Sequence, residues 1–242
     1  MFNRNLILKN EKRFNKPGKI TNFIQENVLS NLADIQNISI KSCLNISASN
    51  IYIENSLPAM GILVENCAIQ QAPSGENFDC AMALNVMQKI HPLRSFLAEI
   101  NAKLRDNGLF FGTLYGSDSL IQVCNSLYRS YEINKMPFIN HFLPVVDIYS
   151  IGSLMQACGF GNIVINLEKY PVKYGNIYEC LGNIRAVGGA NVLENKVSLP
   201  IKRQILRTAN EIFLSQYSGI CEYVVLFIFA QKQENVKKKV IT

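Results

Sequence analysis

The chain has 242 residues, of which 48% are hydrophobic and only 17% charged, with a formal net charge of +6. That is enough apolar material for one sizeable core and too little charge for a disordered acidic or basic tail. The excess of Lys and Arg favours acidic partners, but the basic residues are scattered without interleaved aromatics. That pattern excludes a nucleic-acid face, and the Lys237, Lys238, Lys239 run reads as a solvated tail.

The start, MFNRNLILKNEKRF, has no continuous apolar stretch and carries Glu11, which argues against a signal or transit segment. Ile20, Phe23, Ile24, Val28, Leu29 and Leu32 then recur at helical spacing and predict an amphipathic helix over 20–33. Residues 38–46 alternate like a strand, and 51–53 and 62–64 are short β-rich runs separated by Pro58 and Gly61. If 40–46 and 51–53 are both strands, four residues join them, whereas a parallel crossover needs a dozen or more, usually with a helix. This spacing predicts that the first crossover helix is missing, leaving a hairpin, or that 51–53 is a loop.

From Phe78 the pattern becomes regular. A strand over 78–84, a helix over 93–104, a turn at Asp106, Asn107 and Gly108 and a strand over 109–115 make one unit of a parallel sheet. A helix over 145–158 is closed by Gly159 ahead of a strand over 163–167. Helices over 177–187 and 200–217 flank a break at Gly188 and Gly189, and a final strand covers 223–230. That last run is the longest apolar stretch and is far too short to span a bilayer, so the chain reads as soluble, cytoplasmic and without a transmembrane segment. The architecture is α/β.

Seven cysteines, Cys43, Cys67, Cys80, Cys124, Cys158, Cys180 and Cys221, stand far apart, with only His91 and His141 beside them. No pair has metal-ligand or redox spacing, so no metal site is expected, and the thiols read as small core residues of a reducing compartment. Abundant, dispersed Asn and Ile fit the codon drift of an AT-rich genome.

Five strings after this reading resemble one branch of the class I S-adenosylmethionine-dependent methyltransferases. Phe78-Asp79 stands at the opening of that family's fourth strand, LRDNGLF (104–110) is similar to LKPDGxF, and GSDSL (116–120) to GGDTL. LMQACGF (154–160) is similar to LLxRAGF, and LGNIRAVGGAN (181–191), the most restrictive, to DLRxMGxxN. The branch contains the malonyl-carrier-protein methyltransferase of biotin synthesis and the methyltransferase-like assembly factor of respiratory complex I with its α-proteobacterial, hence bacterial, relatives. The likeness covers 78–230, with a weaker echo over 1–33.

The resemblance implies a Rossmann-like methyltransferase fold with a truncated N-terminal half of the sheet and C-terminal helical additions. The expected division is an N-terminal helical segment over 1–36 and a methyltransferase-like domain over 37–242. Within that domain 37–77 is an eroded donor-binding half and 78–230 a better preserved one. It further implies a glycine-rich loop after strand one and an acid at the end of strand two for the donor ribose. Here CLNISASN puts Asn45 where the family has Asp, Ser47 where it has its first Gly and Asn50 about where it has its last; side chains there obstruct backbone approach. Glu54, in ENSLPAM, stands for the ribose acid, Glu65 for an acid after strand three, and Gln88-Lys89 replaces His-Trp. Asp118, Arg185, Gly188 and Tyr217 are nominated for an acceptor or partner surface, and no residue is identified as a general base. Two readings follow from the resemblance. One is a pseudoenzyme with donor binding weakened or lost, acting as an assembly or binding factor for an acidic protein or carrier protein. The other is an active enzyme that uses S-adenosylmethionine on a carrier-protein carboxylate or a protein side chain. The oligomeric state is left open.

Overall fold

The structure is a computed structural model and describes residues 19–33, 40–46, 51–67, 75–141, 146–186 and 201–234. Its centre is a six-stranded sheet: β1 (Ser42–Ile46), β2 (Leu63–Cys67), β3 (Phe78–Ala83), β4 (Leu104–Tyr115), β5 (Phe160–Lys173) and β6 (Ile220–Lys232), in the order β2-β1-β3-β4-β6-β5. β1 pairs in parallel with β2 and β3, β3 in parallel with β4, and β6 runs antiparallel between β4 and β5.

The helices are α1 (Lys19–Ala33), α2 (Ile51–Ala59), α3 (Leu93–Lys103), α4 (Ile121–Ile133), α5 (Ile148–Ala157), α6 (Ile177–Ala186) and α7 (Arg203–Tyr217). Strand alternation splits the core into two clusters. Cys43, Cys80, Met82, Phe111 and Phe227 face α1, α2, α4, α6 and α7, whereas Leu44, Ala81, Phe110 and Ile228 face α3 and α5. This is the three-layer arrangement that parallel strands require, since both sheet faces must be covered.

The expected missing crossover is a misreading. Residues 51–53 are the first turn of α2, not a strand, and the second strand is Leu63–Cys67, so β1 and β2 form an ordinary parallel pair joined through a helix. Ile51, Tyr52 and Ile53 have β-branched or aromatic side chains that favour strands in isolation, but Leu57, fully buried in the same element, anchors the segment as a helix against the core. Phe78, placed by the resemblance in the fourth strand, opens the third strand among the described residues.

The remaining expectations are close. The turn at 106–108 survives as a positive φ at Asn107 and a register shift against β3, within a strand that starts at Leu104. Gly159 has φ 89, as its capping role requires, and β5 and β6 are longer than expected. Asp147 caps α5 by accepting from Tyr149 N and Ser150 N at 3.0 and 2.9 Å. The sequence reading missed α4, whose signal was the four-residue stripe of Val123, Leu127 and Tyr131, all buried. Gly188 and Gly189 lie outside the described residues. Among the described residues no helix is long and apolar enough to cross a membrane, and no group of three His, Cys, Asp or Glu side chains could hold a metal.

Candidate functional site

The direction of chain travel locates the crevice. From β1 the chain crosses by α2 to β2 on one side, and from β3 it crosses by α3 to β4 on the other, with α2 and α3 on opposite faces. The switch therefore lies between β1 and β3, and open α/β sheets bind ligands beyond the carboxyl ends of the strands at such a point.

Buried amides line this end. Asn45, one residue before the end of β1, is 1% exposed; its Nδ2 donates to Oδ1 of Asn66, its register partner on β2, at 2.8 Å. Just past β3, Asn85 adopts φ 59, its backbone N–H donates to Thr113 Oγ1 at 2.8 Å and its Oδ1 accepts from the Tyr115 hydroxyl at 3.4 Å. Gln88, in the short 3₁₀ turn Met87–Lys89, donates through Nε2 to the Asn85 carbonyl at 3.0 Å. Gly112 admits that turn: a Cβ there would stand 2.6 Å from Met87 Sδ. Asn45 Oδ1, Asn85 Nδ2 and Gln88 Oε1 are buried without a hydrogen-bond partner.

Tyr115 cannot serve as a base here. Burial, with a smaller contribution from Tyr174, holds its phenol well above the usual range. Tyr174 and Tyr223 share a hydroxyl–hydroxyl bond of 2.9 Å on the same side, and burial pushes both phenols up as well.

Known proteins share part of this sequence and its fold. No family model matches the chain. It is 24% identical over 168 residues to the arginine-hydroxylase NDUFAF5, mitochondrial, of Rattus norvegicus, covering 69% of this chain and 48% of that protein. It is 21% identical over 169 residues to a Rickettsia prowazekii (strain Madrid E) protein whose name calls it a methyltransferase, covering 69% and 73%. Among solved structures, a methyltransferase of Bacillus halodurans C-125 superposes with a TM-score of 0.52 at 9% identity, over 86% of this chain and all of that one, which shows the shared fold. These relatives and the shared fold support a place in the class I S-adenosylmethionine-dependent methyltransferase superfamily. It spans about half the length of the animal relatives it matches.

Against that family's donor site the nominated residues scatter. Asn45 reaches the crevice, whereas Ser47 and Asn50 lie outside the described residues. Glu54 is the fourth residue of α2, not the end of a strand, and its side chain is not described. Glu65 sits within β2 opposite Leu44, on the other face from Asn45 and Asn66, and accepts from Gly75 N at 3.3 Å. Asp118 is exposed in the turn after β4, Arg185 is exposed near the end of α6, and Tyr217 is half-buried at the end of α7; no hydrogen bond or ion pair joins these three among the described residues. The amides at 66 and 85 were not nominated: their role depends on register and a left-handed backbone that only the fold reveals.

S-adenosylmethionine brings a sulfonium and an ammonium, and carboxylates would stabilise both. Where Asn45 and Asn66 meet, the described side chains offer neutral amides, and Lys89 is buried in the adjoining turn.

Proposed function

We propose that this chain is a methyltransferase-family binding factor: S-adenosylmethionine binding is weakened or lost, and the protein acts by recognising a partner protein, in the manner of an assembly factor. The observation that carries this reading is the Asn45–Asn66 amide pair across the carboxyl ends of β1 and β2, which puts neutral groups where a cationic donor needs charge. The sequence of the loop that follows, with Ser47 and Asn50 in place of glycines, weighs the same way. The net charge of +6 suits an acidic protein or carrier protein. The rat relative is named for arginine, so a protein presenting an arginine side chain is a second partner class to try.

Calorimetric titration with S-adenosylmethionine and S-adenosylhomocysteine tests the donor half of this proposal. The expected result is no heat, or only millimolar affinity; micromolar binding refutes it. For the partner half, Arg185→Ala, on the exposed end of α6, is expected to reduce recovery of the partner from lysate while leaving the circular dichroism unchanged. An unchanged partner list would count against that surface.

One observation favours the active-enzyme reading. The β1–α2–β2 crossover is complete, so the scaffold on which a donor site is built has not been lost. Micromolar donor binding would move the chain to that reading and call for an acceptor search among carrier-protein carboxylates and protein side chains.

A further inference from the structure

β5 closes the sheet at one end, so one side of its backbone has no neighbouring strand. Tyr174 N donates to Gly219 O at 2.9 Å, which makes 174 and 219 a hydrogen-bonded pair continuing the β5–β6 ladder. Alternation then turns the even-numbered backbone groups of 164–172 toward β6 and the odd-numbered ones outward. From the other side, Gly116 N donates to Val224 O, so Val224, the register partner of Lys169, turns its backbone to β4 and leaves that of Lys169 outward. Ile165, Leu167, Lys169 and Lys173 therefore each present an N–H and a C=O to the open edge, where no described residue bonds them. Pro171, which has no N–H to lose, falls at an outward position, as a proline in an edge strand must.

The side chains of these residues share one face. Ile165 is covered by α5, where a Cβ at Gly152 would stand 3.7 Å from its Cδ1. Further along, Leu167 is 51% exposed, Lys169 is exposed and pairs with Glu222 at 3.2 Å, and Lys173 is exposed with no ion pair among the described residues. We propose that this edge is a docking surface for an extended acidic segment of a partner protein, which adds to the sheet as a strand antiparallel to β5. The segment carries an acid opposite Lys173, another opposite Lys169 and an apolar residue opposite Leu167, which reads acid-x-x-x-acid-x-apolar. Backbone bonds supply the affinity of such an added strand, and its alternate side chains supply the selectivity. A second copy of this chain fits the edge less well, because it brings the same lysines and a net charge of +6 to a surface that already carries both. This inference rests on the binding-factor reading, to which it gives a surface and a partner chemistry.

The test is fluorescence anisotropy on the full chain with a labelled peptide, ETTTETVTV, and its charge-reversed twin, KTTTKTVTV, on the wild type, Leu167→Pro and Lys173→Glu. Leu167→Pro removes an outward N–H and no bond to β6. The acidic peptide is expected to bind at micromolar concentration and at least tenfold more tightly than its twin. Leu167→Pro should lose at least tenfold at wild-type circular dichroism, and Lys173→Glu should abolish the preference for the acidic peptide. If Leu167→Pro does not fold, Lys173→Glu decides. No binding at millimolar peptide, equal affinity for the two peptides, or unchanged affinity in both variants overturns the inference. A wild-type dimer in sedimentation that Leu167→Pro dissociates also overturns it and assigns the edge to a second copy. The donor titration separates this inference from the reading beneath it. Peptide failure without donor binding sinks the edge alone, whereas peptide binding beside micromolar donor binding keeps the edge and sinks the loss of the donor.

Discussion

Removing the carboxylate of Asp79 should uncouple three strands at the end of the sheet remote from the crevice. Asp79 Oδ2 accepts from Lys41 N at 2.8 Å, Ser42 N at 2.9 Å and Ser42 Oγ at 3.1 Å, while Oδ1 pairs with Arg105 Nε. Ser42 Oγ in turn accepts from Asp79 N at 3.1 Å, so the starts of β1, β3 and β4 converge on one side chain. The Asp79 side chain is 15% exposed and that of Arg105 39%, so the ion pair itself contributes at most about 1 kcal/mol, and most of the loss comes from the Ser42 amide and hydroxyl. Unpaired donors of this kind cost about 1–3 kcal/mol each when water cannot replace the acceptor, and the exposed Lys41 amide recovers a water. Asp79→Ala should therefore cost about 3 kcal/mol and Asp79→Asn about 2, read as a shift in urea midpoint at unchanged m-value. At roughly 2–4 °C per kcal/mol for a chain of this size, Asp79→Ala should lower Tm by about 6–12 °C. Burial pushes this carboxyl up, but the hydrogen bonds from Lys41, Ser42 and Arg105 outweigh it and hold the pKa below the usual value. A lowered folded pKa means the stabilisation is complete above the unfolded value and lost as pH falls through the folded one. The gap between wild type and Asp79→Asn should thus stay constant from pH 7 to about 5 and narrow below about 4. A cost under about 0.5 kcal/mol for Asp79→Ala, or a gap that grows on acidification, would refute the account.

Other outcomes follow from the same structure. Gly219 has φ 72 and a Cβ there would stand 2.4 Å from the Tyr174 carbonyl oxygen, so Gly219→Ala should cost about 2 kcal/mol or more by urea unfolding, whereas Gly182→Ala, with open space around it, should be neutral or stabilising. Asp147→Ala should speed amide exchange in the first turn of α5, and because this carboxyl is held below its usual value by the Ser150 and Tyr149 hydrogen bonds, the wild-type protection should persist at neutral pH and fade on acidification through the folded pKa. Burial raises the thiols of Cys67 and Cys158, so these should label with a thiol reagent at pH 8 only as fast as the protein unfolds. A fast phase on Cys67 or Cys158 by mass mapping would contradict their burial.

The half of the sheet from Phe78 onward was legible because local pattern and tertiary role agree there. The helical stripe of α3, the capping glycine at 159 and the long apolar run of β6 each express burial directly in sequence. The first half was not, because its signals conflict. Ile51, Tyr52 and Ile53 look like a strand and begin a helix, while Leu63–Cys67 contains Glu65 and Asn66, half-buried and exposed on a short edge strand, and so carries little of the alternation that marks a strand. That one exchange reversed the inference about the crossover. Asp79 was read as part of a motif, but its reach to Lys41 and Ser42 spans nearly forty positions and is set by strand register alone. Gln88 was picked out as a departure from the family pattern; that its amide donates to the Asn85 carbonyl required the structure.

The crevice and the Asp79 cluster make opposite uses of polar groups, and the contrast bears on function. At the remote edge every oxygen of Asp79 is engaged, so the group stabilises the fold. Near the carboxyl ends of β1 and β3, Asn45 Oδ1, Asn85 Nδ2 and Gln88 Oε1 are left without a hydrogen-bond partner, an arrangement that costs stability. A leucine at position 88 would remove the unpaired Oε1 and, with it, the bond from Nε2 to the Asn85 carbonyl. The two changes oppose each other, so Gln88→Leu should leave stability within about 1 kcal/mol of the wild type by urea unfolding. A fall in stability of more than about 1 kcal/mol in Gln88→Leu would mean that the Gln88–Asn85 bond outweighs the cost of the unpaired oxygen.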